Sequence, residues 1–505
     1  MLFKNIREVG TGKPKKLFIE KIKLMYRIIE EYCSAENIDY ENYVLNTNLA
    51  MEELNLIGIV NQEDDLIVLN KFIGTDYNPL IKALSFYSEN KEASNYILNR
   101  FYNSYRRDAQ RESENNNNPT IVDLFAGAGG LSLGFIQNGF KVELANEIQD
   151  ICTETYKFNH PEIKSSKVVN DDIINIVENI DNYLENRNID VVIGGPPCQS
   201  FSSANQQRII DDPRNVLYKY FIRAVEKIKP KFVVMENVRG MLRVADQVIQ
   251  DFSNVEVNID GEIHNYDVQY HLFNSQDFSV AQARERLIYI GVRSDVQREF
   301  DIDAQDIIDQ ILEVNINNPK YVLGDALRDI KELQSPTVKN MTEVDCEITG
   351  KKVDVNLYNG DTNPYLELIN NGVRLPIITN HKARFANEIN LEIFTTLEQG
   401  EDSTSERIAH IMPYTHRNNV FKDKYYKLIE NRPCRTITAH LQMDCLSHIH
   451  PTQARTITPR EAARVQSFPD DYVFMGPYLK TYMQIGNAVP PVMARGFARI
   501  IRNYL

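Results

Sequence analysis

An α/β fold with a parallel, doubly wound sheet is predicted by three features of residues 119–294. Short β-type runs end in glycine or polar residues, helical stretches separate them, and the candidate functional groups fall at the run ends. The runs are TIVDLF (120–125), KVELANE (141–147), KVVNDD (167–172), NIDVVIGG (188–195) and PKFVVMEN (230–237). That alternation buries strands between helical layers and puts ligands beyond the carboxyl ends of the strands. Two later runs, VQYHLFN (268–274) and RLIYIGV (286–292), are expected to complete the sheet.

A chain of 505 residues implies two or three structural units, and 43% hydrophobic residues can build real cores. The opening residues lack the apolar run of a secretion signal, and no stretch approaches the apolar length of a membrane span. Cys33, Cys152, Cys198, Cys346, Cys434 and Cys445 contain no CxxC pair, which speaks for a reduced compartment rather than a disulfide framework. A soluble, cytoplasmic protein without membrane partners is the expectation. The net charge of −14 disfavours a polyanionic partner for the chain as a whole, but binding needs only a local basic face. Lys4, Arg7, Lys13, Lys15, Lys16, Lys21 and Lys23 supply one such stretch, which equally suits a solvated helix end.

Residues 1–118 read as an N-terminal accessory domain. Helical periodicity runs through 19–33 and again through 47–58. The runs IGIV (57–60) and DLIVL (65–69) flank the turn NQED and predict a β-hairpin, an order compatible with a winged-helix unit. The polar segment SENNNN (113–118) reads as a linker. Residues 295–454 are rich in charge and turns, and residues 455–505 return to an ordered pattern that ends in an amphipathic helix.

The first β-type run enters Asp123-Leu124-Phe125-Ala126-Gly127-Ala128-Gly129-Gly130, a turn whose glycines allow backbone to approach a ligand closely. It is not the dinucleotide GxGxxG. Glu147 ends the second run, where it can accept from a ribose diol, and Asp172 ends the third, within reach of an adenine amino group. A nucleoside cofactor without phosphates suits these acids better than a dinucleotide.

In Gly194-Gly195-Pro196-Pro197-Cys198, two prolines carry the chain out of the sheet and stiffen the turn before a thiol. A cysteine placed there is a candidate nucleophile if its surroundings favour the thiolate. Glu236 ends the next run and faces the same cleft. Arg284 and Arg286 share alternation parity, and point to one face if the strand begins early enough.

In this order, DLFAGAGG, GGPPCQSFS, MENVRG, QARER, RTITPREAARVQSFPDDY and QIGNAVPP resemble the DNA (cytosine-5) methyltransferase family over residues 119–294 and 435–505. The resemblance implies a class I, Rossmann-like S-adenosylmethionine-dependent methyltransferase sheet with an inserted target-recognition region at 295–454. It implies that Cys198 adds to C6 of a flipped-out cytosine, that Glu236 holds N3 and the exocyclic amine, and that Arg284 meets O2, with Arg286 beside it. For the cofactor it implies Phe125 against adenine, Glu147 at the ribose, Asp172 near the adenine amine and Asn487 near the methionine end. Ala126, Gly127, Gly129, Gly130, Ile148, Ile173, Pro197, Leu217 and Ala488 are the further contacts it implies. S-adenosylhomocysteine is the implied product and no metal is expected. Double-stranded DNA is the implied partner, and a cognate restriction endonuclease an unbound one. The same chemistry on transfer RNA, or a DNA-binding relative that has lost activity, are the competing readings. The repeated tetrapeptide Arg-Thr-Ile-Thr (435–438 and 455–458) suggests that the first copy is a paired strand of the recognition region. The spacing of Cys434, His440, Cys445, His448 and His450 matches no common zinc finger.

Overall fold

The computed structural model describes residues 3–91, 117–185, 187–197, 217–357, 363–413 and 424–505. Its centre is a seven-stranded sheet in the order β3-β2-β1-β4-β5-β9-β8. The strands are β1 (Thr120–Leu124), β2 (Lys141–Asn146), β3 (Val168–Val169), β4 (Val191–Gly194), β5 (Phe232–Val238), β8 (Tyr266–Asn274) and β9 (Glu285–Arg293). Neighbours from β3 to β5 run parallel, and only β9 is reversed between β5 and β8. A small hairpin, β6 (Val257–Ile259) and β7 (Glu262–His264), precedes β8. Winding reverses direction between β1 and β4, so the cleft at their carboxyl ends is the topological switch point where such sheets bind ligands.

The continuous apolar runs follow from burial on both faces. Ile121, Val191, Ile193, Phe232, Val234, Ile288 and Ile290 join one core, while Val122, Val192, Val233, Met235, Leu287 and Tyr289 join the other. The first core takes the apolar faces of helices 130–136, 304–315 and 491–501, and the second those of helices 173–178 and 217–228.

The N-terminal unit is helical throughout its described part: α1 (Lys13–Ala35), α2 (Thr47–Leu56), α3 (Asp64–Ile73) and α4 (Tyr77–Asn90). The expected hairpin does not form. Residues 57–60 are turn, and DLIVL lies inside α3, where Asp65, Leu69 and Ile73 recur at helical spacing as the buried face. A run of that length fits either period, and tertiary burial chose the helix. A winged-helix unit is therefore not what residues 3–91 build. Further helices used below are α5 (Gly130–Ile136), α6 (Asp150–Asn159), α7 (Ile173–Glu178), α8 (Leu217–Ile228), α9 (Ala304–Asn315), α10 (Pro459–Val465), α11 (Tyr478–Asn487) and α12 (Pro491–Ile501).

The boundary expected at 294/295 runs through a core rather than around one. Ile307, Ile308 and Ile311 of α9 share a core with Ile288 and Ile290 of β9, Phe278 in the turn after β8 and Phe497 of α12. The two-stranded sheet β10 (Gly350–Val355) and β11 (Ile377–Lys382) packs on the N-terminal helices instead. A separate small core, with Ala386, Ile393, Phe394, Leu397, Ile408, Tyr425 and Ile449, marks 386–408 as the more independent part of the expected recognition region, while Leu428, Cys434, Ile437, Leu441 and Cys445 join the core of the sheet.

The second Arg-Thr-Ile-Thr copy leads into α10, around which two ion pairs, Arg455–Glu461 and Arg464–Asp470, are buried. Arg455, Glu461, Arg464 and Asp470 are all 0% exposed. Arg455 donates to both carboxylate oxygens of Glu461 at 2.7 and 2.6 Å, and Thr458 and Glu461 form a capping box. Against the cost of burial, the Arg455 guanidinium holds the Glu461 carboxyl well below the usual range. Removing one partner leaves the other as an uncompensated buried charge. Glu461→Gln is therefore expected to destabilise the fold by about 3–5 kcal/mol, read as a lowered denaturant midpoint. An unchanged midpoint would refute that role.

Candidate active site

The turn after β1 is shaped by backbone no ordinary residue adopts freely. Phe125 has φ 57°, and Gly127 and Gly129 follow at 57° and 86°. Such strain in a non-glycine residue persists only where its surroundings over-determine it. The Ala126 amide donates to the Asn146 carbonyl at 2.9 Å, which ties this turn to the end of β2. Glu147 closes over it: one carboxylate oxygen accepts from Gly127 N at 3.0 Å, the other from Gln149 N at 2.8 Å. Burial raises the Glu147 pKa, and those backbone donors oppose the rise.

Beside Glu147, Ile148 is 62% exposed, an apolar side chain left open at the cleft. Asp172 caps α7, one oxygen accepting from Ile174 N at 2.9 Å. Ile173 is buried in the layer against which Phe125 and Leu217 also pack. On the far side, a side chain at Gly130 would meet the Val489 carbonyl at 2.4 Å, so the closing turn with Asn487 and Ala488 lies directly on this loop. Asn487 is exposed and Ala488 buried.

Beneath the turn, Asp123 is fully buried. Tyr156 donates to Ser132 Oγ at 2.8 Å, and Ser132 donates to one Asp123 oxygen, but the other oxygen has no partner. Burial pushes the Asp123 pKa up to about 7. The folded value lies above the unfolded one, so the native state binds the extra proton between pH 4 and 7 and loses stability as pH rises through that window. Asp123→Asn should cancel this loss, by up to about 4 kcal/mol above pH 7 and little near pH 4. Thermal melts of both proteins across pH test it; parallel curves would disprove it.

The second half of the site lies on β4, β5 and β9. A side chain at Gly195 would meet Glu236 Oε2 at 2.8 Å, so glycine here leaves room for the Glu236 carboxylate against the start of the Pro196-Pro197 turn. Asn237 Nδ2 donates to the Pro196 carbonyl at 3.0 Å and braces the same turn. Pro197 is exposed at its end. Cys198 lies outside the described residues.

Arg286 stands opposite Val238 on the β5–β9 ladder, diagonal to Glu236, and its Nε contacts Glu236 Oε1 at 2.8 Å, off the line of a hydrogen bond. Both side chains keep a little exposure, 13% and 12%. Arg284 differs. Strand β9 begins at Glu285, so Arg284 precedes it, and the parity expectation fails. Arg284 is 1% exposed and donates to the carbonyls of Ile437, Gly486 and Ala488 at 2.6, 2.9 and 3.0 Å.

The first Arg-Thr-Ile-Thr copy supplies one of those carbonyls. It does not pair with the second copy: Cys434 bridges Gln282, Ala283 N donates to Cys434 O at 2.8 Å, and Ile437 N donates to Gln282 Oε1 at 2.8 Å. Asn237 and Gln282 are thus organising residues that sequence reasoning passed over, although both sit inside quoted motifs. Cys434 and Cys445 lie in the apolar core, where burial pushes both thiols up to about 12. Among the described residues no three ligating side chains gather as for a metal.

These features fit a nucleoside cofactor carrying a cationic amino acid tail. The cleft offers a carboxylate beside the glycine turn, an exposed apolar Ile148 and a partnerless buried oxygen on Asp123 beneath. No phosphate cradle of lysine or arginine lines the described part of this turn.

Residues 119–503 match the model of the C-5 cytosine-specific DNA methylase family. The chain is 32% identical over 406 residues to the Type II methyltransferase M.DdeI of Desulfomicrobium norvegicum, covering 76% of this chain and 88% of that protein. It is 27% identical to the Type II methyltransferase M.Sau96I of Staphylococcus aureus, over 98% and 94% of the two chains. A solved structure assigned as a DNA modification methyltransferase encoded within an E. coli prophage matches with TM-score 0.57 and 26% identity, over 76% of this chain and 99% of that one. The chain belongs to the C-5 cytosine-specific DNA methylase family and is a DNA (cytosine-5) methyltransferase with a Rossmann-like methyltransferase fold.

Proposed function

We propose that this enzyme methylates cytosine within a specific duplex sequence through a covalent Cys198–C6 adduct, as the modification half of a restriction–modification pair. The observation that carries the reading is the Gly195–Glu236–Arg286 cluster at the strand ends, directly before Cys198. S-adenosylmethionine, when bound, supplies an electrophilic methyl group and leaves as S-adenosylhomocysteine. Glu147 and Asp172 hold its ribose and adenine amine, Phe125, Ile148, Ile173 and Leu217 enclose the base, and Ala126, Gly127, Gly129, Gly130, Pro197, Asn487 and Ala488 complete the wall.

Within a duplex, C6 of cytosine is shielded by stacking, so the base leaves the helix to reach the cleft. The Cys198 thiolate adds to C6, and its electron pair makes C5 nucleophilic. Glu236 passes a proton to N3, where the displaced electron pair accumulates, and accepts from the exocyclic amine, so the ring does not hold a full negative charge. The O2 contact passes from Arg284 to Arg286 in this reading, because Arg286 adjoins Glu236 while Arg284 is committed to carbonyls. Once C5 carries the methyl group, a base removes its proton, the C5–C6 double bond re-forms and the thiolate departs.

The expected recognition region, 295–454, is where we place the reading of base edges, its part 386–408 foremost, with phosphate contacts setting position. The relatives' names as Type II methyltransferases support the modification role. Methyl incorporation into duplex DNA and into transfer RNA, followed by bisulfite sequencing of DNA from cells expressing the chain, tests the whole reading. Methylation of RNA alone would overturn it; scattered DNA methylation without a shared sequence would overturn the restriction–modification role.

A further inference from the structure

The family match begins at residue 119, so nothing in it accounts for residues 3–91. Those residues are not an appendage. Their apolar core includes Phe158 of α6, Val353 and Ile377 of β10 and β11, and Val473 and Met475 before α11. One core therefore spans the N-terminal helices, the small sheet and the catalytic unit.

The polar contacts converge on one helix. Lys21 of α1, with its side chain 8% exposed, pairs with Glu154 of α6 at 2.7 Å. Glu20 accepts from Gly476 N at 2.9 Å. A side chain at Gly476 would meet Ile151 of α6 at 2.3 Å, so the segment held by Glu20 lies hard against that helix. The same segment grips α6 again through Met475 N to Thr155 Oγ1 at 2.9 Å and Val473 N to Asn159 Oδ1 at 2.8 Å. Gln149, the residue before α6, donates its N–H to Glu147. A shift of α6 is thus passed to Glu147 through a single peptide.

We propose that residues 3–91 clamp α6 and so position the cofactor edge of the active site, with Glu20 and Lys21 as the positioning residues. This rests on reading Glu147 as the ribose carboxylate. The clamp acts on cofactor affinity and not on the chemistry at cytosine, because Glu236, Arg286 and the Pro196-Pro197 turn lie on other strands.

The full-length Lys21→Met and Glu20→Gln variants are the test, with S-adenosylhomocysteine as the binding probe. Cofactor dissociation constants should rise about five- to tenfold. Turnover at saturating cofactor and DNA affinity should stay within about twofold. Hydrogen exchange of amides 150–159 should accelerate, and the reversed pair Lys21→Glu/Glu154→Lys should restore cofactor affinity. Unchanged cofactor affinity in Lys21→Met, or a loss that the reversed pair does not repair, overturns the clamp. Glu147→Gln separates the two ideas. If it weakens cofactor binding while Lys21→Met does not, the clamp alone fails. If neither weakens it, the ribose reading falls and takes the clamp's link to the cofactor with it.

Discussion

Replacing Cys198 by alanine is expected to abolish methyl transfer, by at least about 10⁴-fold, while DNA and cofactor affinities stay close to those of the parent enzyme. The size follows from the chemistry. C5 of cytosine does not attack a methyl donor until a nucleophile has added at C6, and no other thiol is brought to this cleft among the described residues. Cys33, Cys152, Cys434 and Cys445 are all buried in cores, and Cys346 lies next to β10. The residues that lead to position 198 are held firmly: Glu236 lies across Gly195, and Asn237 holds the Pro196 carbonyl. Transfer of a labelled methyl group to duplex DNA measures the loss. A duplex carrying 5-fluorocytosine adds a second readout, because fluorine at C5 cannot leave as a proton and the adduct persists. The parent enzyme should form a complex that survives denaturation and the alanine variant should not. Full activity in that variant would remove the covalent mechanism.

The catalytic sheet was legible because its strands are buried on both faces. Val191-Val192-Ile193 and Phe232-Val233-Val234-Met235 have no polar side to confuse the pattern, and glycine or a polar residue marks each carboxyl end. The site was legible for the same reason, since ligands gather at those ends. The N-terminal unit was not. DLIVL satisfies a strand and a helix equally, and its helical state is decided by partners elsewhere in the N-terminal unit: Asp65 accepts from Asn5 and Arg7, and Phe72 packs edge-on against Phe18. The first Arg-Thr-Ile-Thr copy misled by self-similarity: its register is set by Gln282, whose side-chain carbonyl accepts from Ile437 N. Parity likewise could not separate Arg284 from Arg286, because the start of β9 is fixed by Glu285 pairing with Asn274 of β8 rather than by composition.

That last distinction has the second-largest consequence for activity. Glu236→Gln is expected to lower turnover by about 10²–10³-fold, because thiolate addition pushes negative charge onto N3 and an amide, unlike a carboxyl group, cannot pass a proton there to relieve it. It also leaves Arg286 without the anion it contacts at 2.8 Å. If Arg286 serves O2, then Arg286→Lys should likewise lower turnover and leave thermal stability nearly intact. A lysine keeps the charge but cannot span Glu236 and the substrate with one planar group. Arg284→Lys should behave in the opposite way. Its guanidinium joins the carbonyls of Ile437, Gly486 and Ala488, and a shorter fork leaves buried acceptors unpaired, at a cost of about 3 kcal/mol. The expected signature is a lowered melting temperature with turnover per folded molecule retained. Melting curves and single-turnover rates on the three variants decide the matter. Loss of turnover in Arg284→Lys without loss of stability would return the O2 contact to Arg284, and would mean that its carbonyl partners release it when the flipped base arrives.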